Sequence, residues 1–405
     1  MLSIDPIRLA RRQLEMDRER TSRFDHLLGH KIERMTASPL AFLRGSAPLF
    51  YDMLDGHPKL AKGPSGEGWL VGDAHLENFG VYRPDALWAA KRTGKHAVKD
   101  AVVFDLNDFD EAIVGPWRLD VLRLVTSLVL GGREVGADGP RTLGLCDALV
   151  DAYVGAAFHE RKSAAIPPVV SSLLDKVRRR SRKELLDART NVIRRQRRFV
   201  RGKRYRDISA KTRAKAERAF AKYARRLPDA QLAPERALEV IDVAFRVAGT
   251  GSLGCTRLAI LVRGKGGEDG AWIFDMKEEG TPAAACLARV PPLEPAERVC
   301  AAVRACVARP PRMMGHTRLR GSSMFVRRLA PQEDKLDLRA LRMEDLMPLA
   351  RHLGALLGSA HRRGARRPPQ RPWSAEECRG LLANAIALAG AHEAAYLAYC
   401  ELVRR

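Results

Sequence analysis

Gly72-Asp73-Ala74-His75-Leu76-Glu77-Asn78 and, about thirty residues later, Asn107-Asp108-Phe109-Asp110 decide the reading of this 405-residue chain. Each cluster follows a short apolar stretch of strand character, Gly68 to Gly72 before the first and Ala101 to Leu106 before the second. An Asp followed five residues later by an Asn, on a loop leaving a strand, turns its carboxylate to an acceptor hydroxyl while the amide oxygen reaches a metal ion. A second Asp at a neighbouring strand end supplies another oxygen ligand. Mg²⁺ favours such ligands, one or two carboxylates with water and phosphate oxygens completing the shell. Phosphoryl transfer asks for little more from a protein than this positioning. Asp73, Asn78 and Asp108 have the pattern. Asp105 and Asp110 are supporting candidates, Asp110 as a ligand for a second metal, and His75 is a phosphate contact or a brace for the loop. The same residues admit a rival, a divalent-metal hydrolase with Asp73, His75, Glu77 and Asp108 as ligands.

Further along, Gly249-Thr250-Gly251-Ser252-Leu253-Gly254 opens a predicted hairpin, Thr256 to Arg263 and Ala271 to Lys277. Glycines at such a turn let backbone N–H groups approach phosphates closely. A dinucleotide site is disfavoured, because that context places a helix after the glycines, whereas here a strand follows. The second strand ends in Lys277, a residue suited to phosphate. Elsewhere the pattern is helical. Ser38-Pro39 opens a short helix with Ser38 as cap. Leu119 to Leu130 is a helix despite Asp120 and Arg123 within its apolar run. Residues 140–245 read as almost wholly helical, with helices at Thr142 to Phe158, Ser209 to Arg226 and Pro234 to Val247. Glu294 to Val307, Met343 to Arg363 and Ser374 to Val403 are further helices, and Ser323 to Leu329 is a strand. Pro84 and a basic stretch from Lys91 to Lys99 lie between the two acidic clusters.

An apolar fraction of 46% is enough to bury a real core, which excludes global disorder. Seven scattered cysteines without Cys-x-x-Cys spacing argue against a disulfide framework or a zinc site. No leader-like segment opens the chain and no apolar run approaches a membrane span, so a cytoplasmic protein is expected. The net charge of +23 is concentrated: Lys176 to Arg226 holds 22 Lys/Arg against four Asp/Glu, a net of +18. That segment is a solvated face or a surface for a phosphate-rich or acidic partner. On the second reading the protein is a non-catalytic basic binding protein for nucleic acid or an acidic partner.

Gly72 to Asn78 resembles the His-Gly-Asp-x-His-x-x-Asn loop of aminoglycoside and choline phosphotransferases, with Val71 where the first His is usual. Asn107-Asp108-Phe109-Asp110-Glu111-Ala112 resembles their Ile-Asp-Phe-Asp-x-Ala. The resemblance implies a protein-kinase-like enzyme using ATP and Mg²⁺ on an unknown hydroxyl-bearing substrate. Asp73 would orient the acceptor, while Asn78, Asp108 and Asp110 would hold metal. Asp120 resembles the Asp that braces the catalytic loop. Gly249, Gly251, Ser252, Gly254 and Lys277 would hold the nucleotide, with Glu294 or Glu297 as the ion-pair partner of Lys277 and Glu278 and Glu279 disfavoured. Ordinary kinases place the glycine loop and Lys before the catalytic loop; here they come after it. The fold class implied is therefore α+β, two-lobed, kinase-like and circularly permuted. Residues 1–245 form a helical lobe with the catalytic and metal loops, 246–340 a small β-rich nucleotide lobe, and 341–405 the helices completing the first. The whole chain is also similar to domain-of-unknown-function family 2252 of bacteria. That likeness runs through Ser38-Pro39-x-x-Phe42-x-Arg44-Gly45, both acidic loops, Gly249 to Gly254, and Met276-Lys277-Glu278; it implies a kinase-like fold and names no substrate.

Overall fold

The computed structural model describes residues 4–24, 26–84, 102–159, 165–227, 234 and 236–404. It begins with α1 (Pro6–Thr21), α2 (His26–Met35), α3 (Pro39–Gly45), α4 (Ala47–Gly56) and α5 (Pro58–Ala61). Ser38 caps α3 as expected, accepting from the Ala41 N–H at 3.1 Å, and Pro39 fills the first turn, where no N–H is needed.

β1 (Glu67–Leu70) runs into the 71–78 loop, which ends in a 3-10 turn and continues as β2 (Phe79–Tyr82). β3 (Val103–Leu106) runs into the 107–112 loop and on to β4 (Ile113–Pro116). β1 pairs with β4, and β2 with β3. Both acidic loops are therefore fixed at both ends and lie side by side. The basic stretch from Lys91 to Lys99 lies outside the described residues. α6 (Arg118–Glu134) follows and is buried on nearly every side, Asp120 and Arg123 included, as befits a central helix. α7 (Gly139–Phe158), α8 (Pro168–Arg178) and α9 (Arg182–Asp187) come next.

Residues 188–206 and 240–246 depart from the helical expectation, while the helix expected over Ser209 to Arg226 is present. β5 (Thr190–Ile193) and β6 (Gln196–Phe199) form a hairpin, with Arg194 and Arg195 in the turn at φ 50° and 63°. β7 (Tyr205–Arg206) precedes α10 (Ala210–Arg225), and the expected helix over Pro234 to Val247 is instead β8 (Val240–Arg246). Thr190, Val192, Ile193, Val240, Ile241 and Val243 explain the difference: β-branched side chains fit a pleated surface better than a helix. β9 (Arg257–Val262), β10 (Trp272–Glu279), α11 (Pro295–Cys306), β11 (Gly315–Leu319) and β12 (Ser322–Leu329) follow. One antiparallel sheet has the order β11-β12-β10-β9-β8-β7. It reaches back across the boundary drawn at 245, since β7 and β8 belong to it. Phe220 and Tyr223 of α10 pack on Phe274 from one face; Leu186 and Phe199 join Leu261 and Ile273 on the other.

The chain then returns to the acidic loops. β13 (Asp334–Lys335) pairs with β2. After α12 (Met343–Arg363), β14 (Ala365–Arg367) pairs with β1. α13 (Ala375–Arg404) closes the described chain against α1 and α6. By length and composition α13 is apolar enough to cross a membrane, which the sequence reading did not anticipate. In this fold it buries Leu381, Ala385, Leu388, Ala389 and Tyr399.

Candidate functional site

A cavity of about 300 Å³ opens between the two acidic loops, the Gly249–Gly254 turn and the end of β10. Asp73, His75, Asn78, Asp108 and Asp110 line it from one side, Gly249, Gly251, Ser252 and Lys277 from the other. Residues about two hundred positions apart thus share one space. The remaining candidates do not line it. Gly254 packs beneath the turn, Asp105 and Asp120 lie behind the loops, and Glu297 stands apart on α11.

The loop side is built from interlocking hydrogen bonds. Asp120, fully buried on α6, accepts from the Val71 N–H at 2.6 Å and the Gly72 N–H at 2.9 Å, and its other contact is His361 Nε2 of α12 at 3.1 Å. His361 is in turn 2.9 Å from the Tyr153 hydroxyl. Gly72 has φ +79°, and a Cβ there would overlap the Glu111 carbonyl, so glycine is required. The Asn78 amide donates to the Asp73 carbonyl at 3.0 Å and to the Asp108 carbonyl at 3.2 Å. Its NH₂ thereby ties the two loops together, and its oxygen is the atom left over. Arg123, wholly buried, donates through Nε to Asp73 at 2.6 Å and through Nη2 to the Leu43 carbonyl at 2.8 Å.

These surroundings set the charges. Burial pushes the Asp73 carboxyl up to about 6, against the opposing pull of Arg123. Burial, with Arg44, Lys335 and Arg123 nearby, holds the His75 imidazole well below its ordinary value. Neutral His75 accepts from the Glu77 N–H at 3.2 Å through Nδ1, which leaves the proton on Nε2, 3.8 Å from Asp73. Asp105 is buried on β3 and raised to about 6 by burial, against the pull of Arg363. Asp108 is exposed to the cavity.

On the opposite side, Lys277 is 5% exposed and pairs with Asp110 and, at 3.7 Å, with Glu279. This corrects the expected partner. Glu297 and Glu294 are not its ion pairs among the described residues; Glu294 pairs with Arg318. Glu279 lies two residues along β10, on the same face. Burial raises its carboxyl to about 7, against the pull of Lys277. Glu278, by contrast, is held at about 2: burial raises it, but hydrogen bonds from Arg23, Thr256 and Ser322 outweigh that. α11 does reach the site, through Arg298 rather than Glu297. Arg298 is buried and grips the carbonyls of Asp110, Ala112 and Gly280.

The glycine turn rests on the N-terminal helices. Arg34 donates to the Gly249 carbonyl, and Arg23 pairs with Glu278 at 2.6 Å. Gly254 has φ +100°, and a Cβ there would overlap the Arg20 carbonyl. Arg20, Arg23, Arg44, Arg257 and Lys335 also line the cavity, and sequence reasoning did not place them in the site. Of these, Arg44 carried a visible signal, standing in the quoted Phe42-x-Arg44-Gly45 stretch; Arg123, which holds Asp73 from outside the cavity lining, carried another by interrupting an apolar helix.

The chain belongs to the bacterial family described as an uncharacterized protein conserved in bacteria (DUF2252), with residues 23–402 matched. No curated protein and no solved structure matches it.

Proposed function

We propose that this protein is an ATP- and Mg²⁺-dependent phosphotransferase of kinase-like type, circularly permuted, acting on a hydroxyl acceptor. One observation carries the reading. Asp73, Asn78 and Asp108 share a cavity with Lys277 and the glycine turn, although the chain presents them in an order opposite to that of ordinary kinases. Permutation explains that order. The end of α12 abuts β1, where the Trp69 N–H donates to the Gly364 carbonyl at 3.0 Å. Joining α12 to the catalytic loop there, and opening the chain elsewhere, would restore the ordinary sequence of parts.

The donor set suits magnesium better than a protein-only metal cage. No group of three His, Cys, Asp or Glu is gathered for a metal among the described residues. The hydrolase rival needs such a group, and its Glu77 is paired with Arg44 at 2.7 Å. Asp108, Asp110 and the Asn78 oxygen would hold Mg²⁺, which would neutralise charge on the phosphates. Asp73, once ionised, accepts the acceptor's hydroxyl proton and orients its oxygen. Lys277 and the backbone of the Gly249–Gly254 turn hold phosphate oxygens.

A second reading, nucleotide binding without turnover, is favoured by one feature: Asp73 is engaged by Arg123 and Lys277 by Asp110. Turnover decides between them. Millimolar Mg-ATP is expected to raise the melting temperature of the wild type and not of Asp108→Ala. Asp73→Ala is expected to keep that shift and lose turnover by roughly 10²–10⁴-fold in a labelled-ATP acceptor screen. Wild-type turnover should fall below about pH 6, as Asp73 takes up its proton. No Mg-ATP shift in the wild type would overturn both readings.

A further inference from the structure

A second cavity, of about 140 Å³, lies where the end of β2, the α8–α9 corner and the stretch after β12 meet. It shares no lining residue with the cleft. Arg83, Arg180, Arg182, Arg312 and Arg328 line it, all half-buried. Glu333, the one carboxylate in its wall among the described residues, already accepts from Arg327 at 3.0 Å and from the Ala330 N–H at 2.8 Å. Arg180 is occupied by Asp334 and the Glu333 carbonyl. Arg182, Arg312 and Arg328 have no carboxylate partner among the described residues. The Nε atoms of Arg182 and Arg328 are buried without a hydrogen-bond partner there. Arg328 is held in place by Trp272, its guanidinium 4.1 Å from the ring centroid. Burial, and then Arg182, Arg312 and Arg83, bring Arg328 down to about 9.

Three guanidiniums gathered without a counter-charge among the described residues repel one another and carry unsatisfied donors into a partly dry space. An anion from outside offsets both costs. The planar fork of arginine matches phosphate oxygens in pairs, which a lysine cluster does not. We infer that this cavity binds a small phosphate-bearing anion, with Arg182, Arg312 and Arg328 as its ligands. Its enclosed volume suits one or two phosphoryl groups rather than a length of nucleic-acid backbone. Arg182 also gives the basic segment from Lys176 to Arg226 a specific role, since other members of that segment are paired internally, Arg197 with Asp187 and Arg201 with Asp242. Bound there, the anion links the outlet of β12 to β2, the strand that leaves the first acidic loop.

The test titrates the full chain with inorganic phosphate and with pyrophosphate, without Mg²⁺, and follows the melting temperature. Wild type and Asp108→Ala are expected to rise alike with pyrophosphate. The double variant Arg312→Gln/Arg328→Gln is expected to lose the response and, without ligand, to melt no lower than wild type, because repulsion has been removed. A retained response in the double variant, or a response lost in Asp108→Ala, overturns the assignment. A shift with a short RNA but with neither phosphate nor pyrophosphate also overturns it, in favour of nucleic acid. Should the double variant fail to fold, phenylglyoxal labelling of the wild type gives the answer. Pyrophosphate is expected to protect Arg312 and Arg328; protection confined to Arg23 and Arg44 of the cleft would sink the proposal.

Discussion

The wall of the cleft that carries Asp73, Asn78 and Asp108 is tied by the strands and helix that immediately follow it in the chain. The facing wall, with the glycine turn and Lys277, is tied by helices from the far N-terminus and by Arg298. On the loop wall, Asp120 holds the backbone of Val71 and Gly72, and Asn78 holds the carbonyls of Asp73 and Asp108. On the turn wall, Arg34, Arg23 and the Arg20 carbonyl position residues more than two hundred places away. The first wall takes its main supports from its own stretch of chain, with β13, β14 and His361 joining it as the fold closes; the second depends on that closure altogether. That difference teaches where the two walls fail.

The largest effect is expected at Asp120. Removing its buried carboxylate strands the N–H groups of Val71 and Gly72 and the contact to His361 together. Asp120→Ala should cost on the order of 4 kcal/mol, measured by urea unfolding. A loss below about 1 kcal/mol, the scale of a single exposed hydrogen bond, would mean that Asp120 does not hold the loop wall.

Asp105 tests the same wall with the opposite sign. Its carboxyl titrates near 6 in the fold against an ordinary value of 3.8. The fold thus favours the protonated form. Below about pH 4 the group costs nothing, the cost grows between 4 and 6, and above 6 it is fully present. Asp105→Asn should therefore gain up to about 3 kcal/mol at pH 8 and nothing at pH 4. An equal effect at both values would show that the burial cost is not what Asp105 carries.

For the turn wall the sharper probe is Gly254→Ala. A left-handed φ and an overlap with the Arg20 carbonyl should together cost about 2 kcal/mol. If unfolding shows no cost, the turn does not rest on α1 as described.

The legibility of the molecule follows the same division. The geometry of the loop wall could be read because its candidate residues are close in sequence and each cluster follows a strand. Asp120 was legible only through its resemblance to the Asp that braces a catalytic loop; its contacts with Val71, Gly72 and His361 have no local signature. The turn wall was read only as far as its glycines and Lys277. No local pattern shows that α1 and α2 will cover the turn, since those contacts are made only when the chain closes. Residues 188–206 and 240–246 were misread because the density of arginines suggested one continuous helical stretch, whereas Thr190, Val192, Ile193, Val240, Ile241 and Val243 favour strands; the helix read over Ser209 to Arg226 is α10. Neither reading placed Arg182 beside Arg312 and Arg328, which lie on separate elements.

The smallest effect is expected where the reading of α11 failed by one residue. Successive residues on a helix point about 100° apart, so a helix placed correctly still presents the wrong side chain when its rotation is unknown. Glu297 is only half-buried, whereas Arg298 points inward to the carbonyls of Asp110, Ala112 and Gly280. Glu297→Ala should change stability by no more than about 0.5 kcal/mol and leave the Mg-ATP shift intact. Glu279→Gln removes the carboxylate that faces Lys277 on its own strand and should alter that shift. A Glu297→Ala variant that loses the shift while Glu279→Gln keeps it would restore the helix carboxylate as the partner of Lys277. It would also mean that nucleotide binding rotates α11 or draws Lys277 away from Asp110, which would make the turn wall the moving part of the cleft.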